Sequence, residues 1–145
     1  MAKESTLRCM VSVGIVLVIA GVVFSAFVSI PRMAVHPEVI EDGAVDSAWY
    51  ISVIIPLIAA AFLLVLFILN RHNLARIKTH LIVAEVVVIL LSLMIAKQAG
   101  YYLETYRFSD MATPEFICAG AYMIAGILLI IASFKIKRST SSEKK

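Results

Sequence analysis

The chain has 145 residues, 61% of them hydrophobic, and a mean hydropathy of +0.96. An ordinary soluble domain is ~45–50% apolar, so the composition points to lipid rather than water as the solvent. The formal net charge of +3 does not mark a nucleic-acid binder, because the basic residues are sorted by segment instead of forming one patch.

The basic head "MAKESTLR" leads into an apolar run from Cys9 to Ile30. This run exceeds the ~7–15 apolar residues of a cleaved secretory signal, so it is expected to be a retained span. Gly14, Gly21, Ser25 and Ser29 recur in it at intervals of seven and four, which keeps them on one helical face and suits close helix packing. The segment after it, Pro31 to Ala48, contains Pro31, Pro37 and the turn-like "EDG". It has room for a short amphipathic helix at the membrane surface.

A second run spans Trp49 to Leu69, with Trp49 and Tyr50 at its start as interfacial anchors. Pro56 has no N–H, which frees the carbonyl of Ser52 one turn earlier and predicts a kink there. The loop "NRHNLARIKTH" is basic. The third run, Leu81 to Gly100, carries a small face of Ser92, Ala96 and Gly100 and is followed by Tyr101, Tyr102 and Tyr106, which are expected in an aromatic belt. The fourth runs from Phe116 to Phe134 and holds Cys118, Ala121, Tyr122 and Ala125. Cys9 and Cys118 are expected near opposite membrane faces, too far apart for a disulfide.

These runs predict an all-α integral membrane protein, multi-pass, with four antiparallel transmembrane helices in one bundle. The spans fall at about 9–30, 49–69, 81–100 and 116–134, each near the ~20 residues that cross a bilayer core. Residues 1–135 form this single domain, and 136–145 read as a basic, disordered cytoplasmic tail. Lys3, Arg8, Arg71, Arg76, Lys78, Lys135, Lys137, Arg138, Lys144 and Lys145 lie in the head, the second loop and the tail. Arg32 and Arg107 alone occupy the other two loops, beside Glu38, Glu41, Asp42, Asp46, Glu104, Asp110 and Glu115. The positive-inside rule therefore puts both termini in the cytoplasm.

Within the spans the reading recognises two charges, Glu85 and Lys97, both on the third. Side chains lean toward a helix N-terminus, so Glu85 is expected to reach back to the cytoplasmic interface near Arg76 or Lys78. Lys97 leans into the bilayer and needs an acceptor. Lys97, Gln98, Tyr122, Ser52 and Pro56 are therefore expected to build one polar pocket, with the amine hydrogen-bonded to the second or fourth helix. No histidine pair, Glu-x-x-His motif or enzyme motif falls in a span, so the reading predicts no metal, no cofactor and no enzymatic activity. The abundance of small-residue faces predicts an accessory subunit of a membrane complex, or of a homo-oligomer, partnered by the bilayer and by other membrane subunits or its own copies. The alternative is a small transporter or channel-like carrier with a polar site at Lys97, Gln98 and Tyr122 and Glu85 as an intramembrane acid.

Overall fold

The computed structural model describes residues 2–70, 73–105 and 109–143. Arg71, His72, Tyr106 and Arg107, and the side chains of Lys3, Asp110 and the tail from Lys137 onward, lie outside the described residues. All regular structure among the described residues is helical, and four helical segments are long and apolar enough to cross a membrane: Ser5–Ala34, Val45–Leu69, Lys78–Thr105 and Ala112–Ile136. Each is longer than its apolar run. The extensions bring Pro31 and Glu115, both read from the sequence as loop residues, into spans.

The first span comprises α1 (Ala2–Phe24), a π-helical segment (Ser25–Ser29) and α2 (Ile30–Ala34). Two short helices follow, α3 (Pro37–Glu41) and α4 (Ala44–Ala48), separated by Gly43 at φ 76°, a left-handed conformation that glycine adopts without strain. The second span continues from α4 through another π-helical segment (Trp49–Ile54) into α5 (Ile55–Leu69). A 3-10 turn (Leu74–Ile77) leads to α6 (Lys78–Thr105), the third span, and α7 (Ser109–Glu143) contains the fourth.

Both π segments end in an Ile-Pro step. In the first the N–H of Ile30 reaches the carbonyl of Ser25, and in the second that of Ile55 reaches Tyr50, each spanning five residues. A proline in a helix removes one hydrogen bond and presses its ring on the carbonyl four residues back. Widening the preceding turn relieves that pressure and leaves carbonyls open to other donors. A widened turn thus precedes Pro56, where a kink was expected, and a second one precedes Pro31.

The fourth span packs against the third and the first, and α5 touches α1 and α6 less extensively. In its most apolar window the second span is 28% buried, against 44%, 39% and 44% for the others in chain order, so it lies at the edge of the group. The core has two parts along its length. One gathers Val18, Val22, Val53, Val88, Ile95 and Tyr122; the other gathers Leu7, Val11, Leu63, Leu81 and Leu129. Glycines set the closest approaches, with Gly14 against Leu129, Gly21 against the ring of Tyr122, and Gly126 against Ile89. Large apolar side chains such as Phe27, Ile58, Val83, Leu93 and Phe134 cover the outside.

Candidate functional site

On the fourth span Glu115, Cys118, Ala119 and Tyr122 follow the i, i+3, i+4, i+7 spacing of one helical face, and all four are buried. That face meets the π segment of the first span. Ser29 donates a hydrogen bond to Oε1 of Glu115, and Ser25 lies 3.7 Å from the sulfur of Cys118. The thiol points at the carbonyl of Gly21, 3.6 Å away. On the other flank the Tyr122 hydroxyl donates to the carbonyl of Ser52 at 2.7 Å, the acceptor that Pro56 leaves open. Ser92 of α6 donates to the carbonyl of Ala119 at 2.7 Å. Residues from all four spans therefore meet in one polar layer within an apolar core.

Two oxygens in this layer, Oε2 of Glu115 and Oγ of Ser52, are enclosed without a hydrogen-bond partner among the described residues. Both residues are 0% exposed. A buried carboxyl oxygen lacking a partner is costly whether or not it is charged, so the site has unmet bonding capacity.

An open cleft of about 630 Å³ lies beside this layer, lined by Asp42, Ser47, Ile51, Met94, Lys97, Gln98, Tyr101 and Tyr102. Its contents mix an ammonium, a carboxylate, an amide and hydroxyls with two apolar side chains. Tyr102 belongs to both places: it lines the cleft, is only 2% exposed, and lies close enough to Glu115 to interact with it electrostatically.

The five residues expected to form one pocket are divided. Lys97 and Gln98 share the cleft, while Ser52, Pro56 and Tyr122 are buried in the helix contacts. Lys97 is exposed instead of directed inward, and the Ser52 carbonyl accepts from Tyr122. Glu85 also departs from expectation. It is 6% exposed and accepts a 2.8 Å hydrogen bond from Ser133, so its carboxyl group is held by the fourth span. Tyr102 turns inward, leaving Tyr101 exposed at that level.

Of the small residues, Gly14, Gly21, Ser25, Ser29 and Ser92 are used in contacts within the chain. Ala96 is half-buried against the core, and Gly100 has open space around it. Glu115 was missed because hydropathy begins the fourth run at Phe116. The helical spacing of Glu115, Cys118 and Tyr122 was the signal that would have found it. No family model, curated protein or solved structure matches the chain.

Proposed function

We propose that the chain is a multi-pass membrane protein whose four helices run antiparallel in one bundle with both termini cytoplasmic, and that it works as a small carrier for a polar solute. The order of contacts supports the antiparallel course. Gly14 meets Leu129 and Gly21 meets Tyr122, so rising positions on the first span face falling positions on the fourth. Ser92 with Ala119, and Glu85 with Ser133, give the same relation for the third and fourth. The sorting of basic residues supports the orientation.

The observation that carries the carrier reading is the cleft, where Lys97 and Asp42 present both signs of charge. Its volume falls in the ~300–1,000 Å³ range of small-molecule sites. A small zwitterion matches this lining, with its acidic end toward Lys97 and its ammonium toward Asp42. Counterflow of labelled zwitterionic, anionic and cationic solutes into proteoliposomes tests the reading. Zwitterion exchange should fall at least tenfold in Lys97→Ala and in Asp42→Asn, and exchange indifferent to both changes would remove it.

A second reading, an accessory or self-associating subunit, draws on Gly100 and Gly120, which have no side chain or backbone packed within 4 Å of where a Cβ would stand. It has less support than the small faces suggested, since most of those are occupied within the chain. Disulfide trapping of a Gly120→Cys variant in native membranes examines it.

A further inference from the structure

We propose that Glu115 is a proton-binding group, and that Tyr102 connects it to the cleft so that proton binding there accompanies solute binding; the connection rests on the carrier reading, the proton site does not. Glu115 is fully enclosed by protein, and its one hydrogen-bond partner among the described residues is the hydroxyl of Ser29. A charged carboxylate in such a place requires a cation or several donors. Among the described residues neither is found around Oε2, which has no hydrogen-bond partner there. The cationic side chain in the same half of the third span, Lys97, is turned out to the cleft.

A neutral carboxylic acid fits the geometry better. Its carbonyl oxygen accepts from Ser29, and its second oxygen carries the proton. Among the described residues, the titratable groups within electrostatic range of Glu115 are Tyr102 on the third span and Cys118 and Tyr122 on its own helix. The first and second spans bring the hydroxyls of Ser25, Ser29 and Ser52 to the layer. Occupation by a metal ion has less support, since no three His, Cys, Asp or Glu side chains cluster among the described residues. The thiol of Cys118 is moreover a poor ligand for an alkali cation.

Tyr102 supplies the exit. Its side chain is 2% exposed, lies within electrostatic range of Glu115 and forms part of the cleft wall. A small rotation of that ring, with the edge-on Tyr101 ring beside it at 6.1 Å, would open a water path from the cleft to Oε2. An acid thus shielded from water exchanges its proton when the cleft rearranges around a solute. Intramembrane carboxyls that face a bundle interior serve proton relays for this reason.

The test uses the full chain in lipid nanodiscs and in liposomes. Infrared spectra at neutral pH should contain a carboxylic-acid C=O band that is lost in Glu115→Gln and retained in Glu85→Gln. In Ser29→Ala the same band should move to higher frequency, because the carbonyl loses its donor; this variant carries the test if Glu115→Gln fails to fold. Proton uptake into dye-loaded liposomes under a potassium diffusion potential should fall at least tenfold in Glu115→Gln and in Tyr102→Ala. The proton site is overturned by a band that survives Glu115→Gln or by a band that sodium or potassium abolishes at fixed pH, and its connection to the cleft is overturned by proton uptake equal in wild type and Glu115→Gln. Failure of the carrier reading alone is distinct: solute exchange then ignores Lys97→Ala and Asp42→Asn while the Glu115 band persists.

Discussion

Tyr122 spans the bundle to satisfy one carbonyl that a proline has left open. Its hydroxyl meets the carbonyl of Ser52 at 2.7 Å, at a site with 0% exposure of either residue. Removing the hydroxyl with Tyr122→Phe should destabilise the fold by about 1 kcal/mol, within the range of hydrogen bonds measured between membrane helices. Pro56→Ala should reduce that loss by restoring an N–H that can take the same carbonyl; equilibrium unfolding of both single variants and the double variant in mild detergent reads the coupling. Ser133→Ala should cost a similar ~1 kcal/mol by depriving Glu85 of its donor, measured in the same assay. At this scale the sequence was informative where covalent chemistry decides the outcome. The missing N–H of Pro56 follows from its ring, and the open carbonyl of Ser52 follows from Pro56. It was uninformative where neighbours decide. Glu85 was read from its own helix, yet Ser133, 48 residues away, holds its carboxyl group.

Helices are legible in this chain from hydropathy, but their ends and irregularities depend on local sterics. Pro31 looked like a terminator, whereas the π segment before it lets the first span continue to Ala34. The two widened turns are also where the polar layer gathers, since Ser25, Ser29 and Ser52 all lie in them. The small-residue face of the first helix was visible as a pattern; that it receives Tyr122 and Leu129 was not, because spacing specifies a surface and not its occupant. Gly21→Ala should destabilise by about 1–3 kcal/mol, since the added methyl meets the Tyr122 ring and forces it from Ser52. Gly120→Ala, with open space at its Cβ position, should be neutral or stabilising by up to ~1 kcal/mol. Thermal unfolding of the two variants side by side gives the contrast.

For the molecule as a whole, four apolar runs sufficed to foresee four spans, and the charge sorting gave an orientation that labelling can check. Cys9 is exposed and Cys118 is 0% exposed, so they should differ in reactivity as well as in side. In a Cys118→Ser background, a membrane-impermeant maleimide should label Cys9 in inside-out vesicles and not in intact cells. The reverse result would invert the bundle. What hydropathy did not convey is how the spans are arranged: the last sits between the first and the third, with the second at the edge. The Ser29–Glu115 bond accordingly joins residues 86 positions apart. This has a consequence for biogenesis. If the four segments enter a membrane as proposed, the first does so before the fourth emerges from the ribosome, and Ser25 and Ser29 wait in lipid, or beside an insertion factor, until Glu115 and Cys118 arrive. Nascent chains halted before residue 112 should therefore remain crosslinkable to the insertion machinery through the first span, and the 145-residue chain freed from the ribosome should not.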